Sequence, residues 1–247
     1  MTSPELSLRF AAGLRLFLAA RHRTAGELRV THDGTSSLGH MVESFGVPLP
    51  EVGRLLADGR PVTASYRPHG GEVVQVDEVR RPQELPYQPP RFVLDVHLGA
   101  LARRLRLVGL DTGYRNDLDD DGLIEWANTE RRVLLTQDRS LLMRRLLWFG
   151  AYVRGARPDD QLTDVLDRFA PTLTPWTRCM ACNGVLSPAD KAEVEHLLEA
   201  GTRRTYNAFT RCPACGRVYW RGAHGGRLEA LVAGATHAVA QATSARR

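Results

Sequence analysis

Two stretches decide the fold: FVLD at residues 92–95 and VLLTQD at residues 133–138. Each is a short apolar run that ends at an aspartate, and each is followed by apolar residues at helical spacing, which predicts a strand and then an amphipathic helix. In the first of these helices three arginines are expected on the solvated side: Arg103, Arg104 and Arg106. Because strands that alternate with helices build a mostly parallel sheet, residues 92–175 predict an α/β domain.

A proline-rich stretch precedes this domain. Four prolines fall within residues 82–90, and proline removes backbone donors and favours extended structure, so residues 83–91 predict a semi-rigid linker. Before the linker, alternating apolar residues at 6–10 predict a strand, and helical spacing at 38–45 predicts a helix that Ser36 or Ser37 caps. Asp58-Gly59 predicts a hairpin. This order is typical of a small α+β domain of the β-grasp type, which we place at residues 1–82.

The N-terminal pattern resembles the ubiquitin-like sulfur carriers of molybdopterin and thiamine synthesis. Those carriers act through a free C-terminal Gly-Gly, whereas Gly70-Gly71 is internal here and a strand pattern follows it. Sulfur-transfer chemistry is therefore not expected, and a docking or substrate-orienting module is.

Aspartates gather at the predicted ends of strands. Asp95 and Asp138 each follow an apolar strand, and sites in such sheets form at the carboxyl ends of the strands. Three more acids lie between them: Asp119, Asp120 and Asp121. Clustered carboxylates favour a hard divalent cation such as Mg²⁺ or Mn²⁺. The alternative is that an aspartate beside a helix start is an N-cap, which stabilises the helix by about 1 kcal/mol.

The cysteines predict a metal site of a different kind. All four lie in two pairs of identical spacing, Cys179-x-x-Cys182 and Cys212-x-x-Cys215, which predict a tetrahedral S₄ site and one structural zinc ion per chain. Rubredoxin-type iron is the alternative, and a redox dithiol would need only one pair. Gly184 and Gly216 are expected to permit the tight turns. Between the pairs, Ser187 is expected to open a helix.

Positive charge is concentrated in the last third of the chain. Residues 176–247 hold ten basic and five acidic side chains, which accounts for the whole formal charge of +5. Phosphate contacts are expected from arginines and base stacking from an aromatic side chain, with a histidine as a further proton donor or phosphate ligand. These RNA-binding candidates are Arg103, Arg139, Arg217, Trp220, Arg221 and His224. The alternatives are solvated arginines and an aromatic ring that packs on the ribbon.

Three stretches together resemble the PIN-domain nucleases: FVLD at 92–95, GALARRLRLVGLDT at 99–112 and VLLTQDRSL at 133–141. The chain more closely resembles the family that joins a PIN-type ribonuclease domain to a C-terminal zinc ribbon, often behind a ubiquitin-like domain, and that is named for the C-terminal part of a Mut-seven exonuclease. The resemblance implies that Asp95, Asp121 and Asp138 bind the catalytic metal. Asp119 and Asp120 are close enough to replace Asp121, and Asp111 or Asp117 is a weaker candidate for a further acid.

The predicted architecture is α/β in three parts: an N-terminal β-grasp (ubiquitin-like) domain, a PIN-like domain with a mostly parallel sheet, and a C-terminal zinc ribbon. The ribbon is placed at residues 176–230 and an alanine-rich tail at residues 231–247. The chain has 247 residues and is 43% hydrophobic, enough for one large or two to three small cores.

The predicted function is hydrolysis of RNA by a metal-dependent ribonuclease, and the alternative is a non-catalytic RNA- or ribosome-binding adaptor. RNA is the expected partner, with the ribosome or tRNA as further candidates. No apolar run approaches the about 18–20 residues that span a bilayer, and no signal-peptide pattern opens the chain, so a cytoplasmic protein without a membrane partner is expected. The sequence leaves the RNA substrate, the choice of endo- or exonucleolytic cleavage and the oligomeric state open.

Overall fold

The computed structural model describes residues 5–222 and 225–244, and the chain divides into two compact units. The first unit holds residues 1–80 and 136–152, and the second holds residues 81–135 and 153–247. Within the described ranges, no helix combines the length and the apolar character that a membrane crossing requires.

The first unit is built on a mixed five-stranded sheet of order β2-β1-β5-β3-β4, in which β1 and β5 run parallel and the other pairs run antiparallel. A helix lies between the second and third strands in the chain, as in ubiquitin-like folds, and the predicted β-grasp arrangement is confirmed. The elements are β1 (Glu5–Phe10), β2 (Leu28–Thr31), α1 (Leu38–Ser44), β3 (Val52–Ala57), β4 (Arg60–Val62) and β5 (Val73–Glu78).

Local sequence signals explain this sheet. Apolar residues at every second position of β1 point to the core, where Leu6, Leu8 and Phe10 are buried. Ser37 caps α1, because its hydroxyl accepts a hydrogen bond from the backbone N–H of His40 at 3.3 Å. The turn between β3 and β4 places Asp58 and Gly59 at φ 45° and 78°, which is the left-handed pair that a tight hairpin requires.

The remaining elements follow in chain order. They are β6 (Arg91–Leu94), α2 (Gly99–Leu107), β7 (Asp111–Tyr114), α3 (Asp120–Thr129), β8 (Val133–Thr136), α4 (Arg139–Leu142), β9 (Gly150–Tyr152), α5 (Pro158–Phe169), β10 (Ser187–Ala189), α6 (Lys191–Val194), α7 (Ala200–Thr205), β11 (Phe209–Arg211), β12 (Val218–Tyr219) and α8 (Gly225–Ser244). Short 3₁₀ helices occur at Ala12–Phe17, Ala20–His22, Leu49–Glu51, Val96–Leu98 and Glu195–Leu197.

Residues 136–152 complete the first unit although residues 81–135, which belong to the second unit, precede them in sequence. The ring of Tyr152 meets the ring of Phe17 edge-on, with 5.0 Å between the centroids. The backbone N–H of Tyr152 donates to the buried carboxylate of Glu51 at 2.8 Å, and Arg139 Nη1 donates to the carbonyl of Phe17 at 2.8 Å. The ubiquitin-like sheet and the α4–β9 segment therefore form one packed body.

The second unit contains the predicted parallel sheet. Strand β6 lies between β7 and β8 and is parallel to both, with Phe92 opposite Val133 and Leu94 opposite Leu135. The paired residues of β6 and β8 are buried, as their continuous apolar runs predict. Helix α2 packs on β7 and on α5, and α5 packs on α8.

Two local predictions are wrong. Arg106 is buried rather than solvated, because it follows Ala102 by one helical turn and so lies beside the apolar stripe of α2. Ser187 opens strand β10 rather than a helix, and the helical segment begins only at Lys191. Strands β10, β11 and β12 form an antiparallel ribbon with a small core of Val194, Leu198 and Phe209. Most of the region expected as an alanine-rich tail lies within α8.

Candidate functional site

The four cysteine thiols converge on one point. Their sulfur atoms all lie within 4.8 Å of one another, with 3.6 Å between Cys179 and Cys215 and 3.4 Å between Cys182 and Cys212. A tetrahedral ion with Zn–S bonds of about 2.3 Å needs sulfur–sulfur distances of about 3.8 Å, so the four thiols fit such an ion. Within residues 5–222 and 225–244, no other group of three or more His, Cys, Asp or Glu side chains brings its ligand atoms within 4.8 Å of one another.

Two equivalent turns present these thiols. In the first turn the backbone N–H of Asn183 donates to the carbonyl of Cys179 at 2.9 Å, and in the second the N–H of Gly216 donates to the carbonyl of Cys212 at 2.8 Å. Asn183 and Gly216 have φ values of 72° and 76°, so both turns need a residue that tolerates the left-handed region. Gly184 has a different role from the one expected, because a Cβ atom there would lie 2.9 Å from the sulfur of Cys212.

The thiols differ in acidity. Burial tends to raise the pKa of the Cys179 thiol, but a hydrogen bond with the Tyr219 hydroxyl at 3.0 Å and backbone N–H groups lower it to about 6. Burial raises the pKa of Cys182 to about 12. A divalent cation that binds all four thiolates offsets the repulsion between them, and four sulfur ligands leave no open position for catalysis.

The first cysteine turn is fixed to the parallel sheet. The buried guanidinium of Arg106 donates to the carbonyls of Met180 and Ala181, at 3.2 and 2.8 Å, and to the carbonyl of Thr112 in β7 at 2.9 Å. The side-chain carbonyl of Asn183 accepts from the N–H of Thr112 at 3.0 Å. These bonds hold the ribbon against the α/β core.

Asp111 is the centre of a charged network in this contact. Its carboxylate accepts from Arg132 at 2.7 Å and from the Asn183 amide at 2.8 Å, and it lies 3.4 Å from Arg178. Burial tends to raise the pKa of Asp111, but the hydrogen bonds from Arg132 and Asn183 outweigh it and hold this pKa below its usual value. Asp117, the other weak candidate acid, is exposed and paired with Arg115 at 2.7 Å.

The predicted catalytic acids occupy the ends of strands and the starts of helices. Asp95 follows β6 and is 8% exposed, and its backbone N–H continues the β6–β8 pairing by donating to Leu135 at 3.0 Å. Asp119 caps α3 by accepting from the N–H of Gly122 at 2.9 Å, and Asp120 and Asp121 lie exposed in the first turn of that helix. Within the described part of the second unit, no three of these four carboxylates lie within 4.8 Å of one another.

Asp138 belongs to the first unit, where it is exposed and caps α4. Its carboxylate accepts from both the backbone N–H and the hydroxyl of Ser140 at 2.7 Å. The hydrogen bond from the Ser140 hydroxyl is the main reason why the pKa of Asp138 lies below its usual value.

The RNA-binding candidates are distributed over both units. Arg103 and Arg217 are exposed in the second unit, and Trp220, which directly follows β12, is 41% exposed. Arg221 lies over the ring of Trp176, 5.4 Å from its centroid. Arg139 donates to the Phe17 carbonyl in the first unit. His224 lies outside the described residues.

Sequence reasoning missed Arg106, Arg132 and Asn183, which hold the ribbon on the sheet. Nothing in the neighbouring sequence indicates the roles of Arg106 and Arg132. Arg106 binds backbone carbonyls of β7 and of the first cysteine turn, and Arg132 binds the carboxylate of Asp111 in β7. Asn183 did carry one: it occupies the place in the first cysteine turn that Gly216 occupies in the second, and asparagine is the residue that most often shares the left-handed region with glycine.

Comparison with known proteins identifies the family. A family model described as the Mut7-C RNAse domain matches residues 90–232, and one described as Mut7-C ubiquitin matches residues 3–84. No curated protein matches the chain. Among solved structures, two crystal structures of small archaeal modifier protein 1 from Haloferax volcanii match the chain at 13% identity. One has a TM-score of 0.25 and covers 30% of this chain and 97% of its own, and the other has a TM-score of 0.23 and covers 34% and 98%.

The ribonuclease-domain match spans more than half of the chain and includes β6, β8 and all four cysteines. The resemblance to the Mut-seven C-terminal family is therefore confirmed, and so is the ubiquitin-like domain in front of it. The chain belongs to the Mut7-C RNAse domain family.

Proposed function

We propose that this protein is a metal-dependent ribonuclease that hydrolyses phosphodiester bonds of RNA, with a structural zinc ribbon that aids RNA binding. The observation that carries the proposal is the match of residues 90–232 to the Mut7-C RNAse domain. RNA is the proposed substrate, and the ribosome or tRNA are further candidate partners.

The proposed catalytic metal ligands are Asp95, Asp121 and Asp138, with Asp119 and Asp120 as the alternatives to Asp121. Sheet topology supports this choice, because β6 and β8 are adjacent and parallel, and their carboxyl ends lie on the same edge of the sheet. Asp95 directly follows β6, and Asp138 follows β8 by two residues. A Mg²⁺ or Mn²⁺ ion bound there would supply a hydroxide nucleophile at neutral pH and stabilise the leaving oxygen.

The role proposed for the basic residues is to hold the substrate. Arg103, Arg139, Arg217 and Arg221 are proposed to contact phosphate, Trp220 to stack on a base, and His224 to donate a proton or bind phosphate. Arginine suits this task because its planar guanidinium presents several donors to phosphate oxygens. Exposure of Arg103 and Arg217 is consistent with such contacts.

The capping contacts favour a second candidate function, that of a non-catalytic RNA- or ribosome-binding adaptor. Asp119 and Asp138 each accept a hydrogen bond from the first turn of a helix, which is sufficient reason for an aspartate at those positions. In an adaptor the zinc ribbon would bind RNA, and the acids would serve the fold alone.

Isosteric substitution separates the two functions. Asparagine caps a helix about as well as aspartate but removes the charge that a hard cation needs, so Asp138→Asn should keep the thermal midpoint and abolish cleavage of single-stranded RNA in Mg²⁺ or Mn²⁺. Asp95→Asn and Asp121→Asn should also abolish cleavage. Asp77→Asn is the matched control, since this half-buried acid pairs with Arg54 in the ubiquitin-like sheet. Wild-type cleavage by the Asp95 and Asp138 variants, or no cleavage by the wild type, would favour the adaptor.

A further inference from the structure

A cavity of about 600 Å³ lies within the second unit, between the cysteine ribbon, the end of α2 and the start of α8. This volume is in the range of sites that enclose a small molecule or one residue of a polymer. Aliphatic side chains form part of its wall, and five aromatic rings also line it: Trp176, Tyr206, Phe209, Tyr219 and Trp220.

The charged side chains that line the cavity are basic. Arg178 and Arg221 line it, and among the described residues that line it there is no aspartate or glutamate. Arg178 is held in place by its contact with Asp111 at 3.4 Å and by a bond from its Nη1 to the carbonyl of Asn183 at 3.1 Å. Arg221 stacks over Trp176 at 5.4 Å. Aromatic faces beside guanidinium groups are the combination that binds a base and its phosphate.

Two tryptophans are pre-organised at this cavity. Trp220 is 41% exposed, yet its ring lies 6.5 Å from that of Phe209, and Gly222 leaves room for it, because a Cβ atom there would be 2.9 Å from the indole nitrogen. Trp176 has φ 67°, a backbone conformation that bulky residues rarely adopt, and its N–H donates to the carbonyl of Leu107 at 2.9 Å. Strain of this kind is concentrated at ligand sites.

We infer that this cavity binds an unpaired nucleotide of single-stranded RNA, with the base stacked against the ring of Trp220 and the phosphate beside Arg221. Asn207 and Thr210 also line the cavity and offer an amide and a hydroxyl to the edge of the base. The inference rests on the proposed function and deepens it, because it joins the roles proposed for Trp220 and Arg221 in one cavity and adds Asn207 and Thr210 as groups that contact the base.

The test compares RNA with and without bases. Full-length, zinc-loaded protein is titrated into a fluorescent oligoadenylate of about ten nucleotides and into the same oligomer with abasic riboses, without added Mg²⁺ or Mn²⁺. Wild-type protein should bind the base-bearing oligomer about five-fold to one hundred-fold more tightly. Trp220→Leu should remove most of this preference and leave the affinity for the abasic oligomer unchanged. Trp148→Leu, at a tryptophan of similar exposure in the first unit, should keep the preference.

Gly222→Ala provides a second route, because it keeps the tryptophan but displaces its ring. This variant should also lose preference for the base-bearing oligomer. Equal affinity of wild-type protein for the two oligomers, or equal weakening of both by Trp220→Leu and Gly222→Ala, would overturn the inference. If the wild-type protein prefers the base-bearing oligomer but does not cleave RNA, the cavity assignment holds and the proposed ribonuclease activity is refuted. If it cleaves RNA but shows no preference for the base-bearing oligomer, the ribonuclease proposal holds and the cavity assignment is refuted.

Discussion

The side-chain amide of Asn183 donates a hydrogen bond to the carboxylate of Asp111 at 2.8 Å, and so joins the first cysteine turn to strand β7. The other end of the same amide accepts from the N–H of Thr112 at 3.0 Å. One residue therefore gives the turn its left-handed backbone and bonds it to the sheet. Metal binding in the ribbon and stability of the α/β core are consequently linked.

Replacing Asn183 with glycine should separate these two roles. Glycine keeps the left-handed turn, but the variant loses two hydrogen bonds, one of them to a charged group, so the free energy of unfolding should fall by about 2–3 kcal/mol. Zinc content should stay the same. Gly216→Asn, in the equivalent turn, is the control and should change stability little, because asparagine tolerates this backbone conformation. Thermal unfolding and metal analysis of both variants provide the measurement. An unchanged thermal midpoint for Asn183→Gly would show that the hydrogen bonds of Asn183 with Asp111 and Thr112 do not stabilise the protein.

Removing one thiol should remove the metal. Cys182→Ser replaces a soft anionic ligand with a neutral hydroxyl, so bound zinc should fall from one ion per chain to far below that level. Among the described residues, the core of the ribbon is a small cluster of three buried apolar side chains, Val194, Leu198 and Phe209, with partly buried neighbours, so the ribbon should unfold without the ion. Elemental analysis and near-ultraviolet circular dichroism would follow both losses. Carefully purified wild-type protein with neither zinc nor iron would contradict this prediction.

Acid should weaken the contact at Asp111. The folded protein holds the pKa of Asp111 below its usual value of about 3.9, so this carboxylate contributes its full stability above that pH and loses it as the pH falls through the folded pKa. The free energy of unfolding at neutral pH should therefore be larger for the wild-type protein than for Asp111→Asn. This difference should become smaller below about pH 4. Urea titrations of both proteins at several pH values would measure it. A difference that is independent of pH would assign the effect of Asp111 to packing.

Salt should oppose RNA binding through the ribbon. Each phosphate contact that is lost should reduce the slope of log affinity against log salt concentration by about 0.7 for single-stranded RNA. Arg217→Gln should show this reduction, and Arg54→Gln, an exposed arginine of the ubiquitin-like sheet, should not. Single substitutions are preferable to deletion of residues 176–247, because Arg106 bonds to the ribbon and α8 packs on α5.

Periodicity and spacing were enough to predict most of the elements. The alternation in β1 and the apolar runs of β6 and β8 report directly which faces are buried, and the cysteine spacing reports the convergence of the thiols. Arg106 could not be predicted in the same way, because it binds carbonyls of residues 74 and 75 positions away, and a backbone carbonyl leaves no mark in the sequence. The place of Tyr152 beside Phe17 is likewise a property of tertiary packing alone.

The position of the α4–β9 segment in the chain affects how the first unit folds during synthesis. Arg139 lies 122 residues after Phe17, whose carbonyl it bonds, so the first unit is completed by a part of the chain that the ribosome synthesises after β6, β7 and β8. The entropic cost of closing a loop rises slowly with its length, and contacts between distant residues slow folding. During synthesis the surface around Phe17 therefore stays uncovered until residues 139–152 have been made.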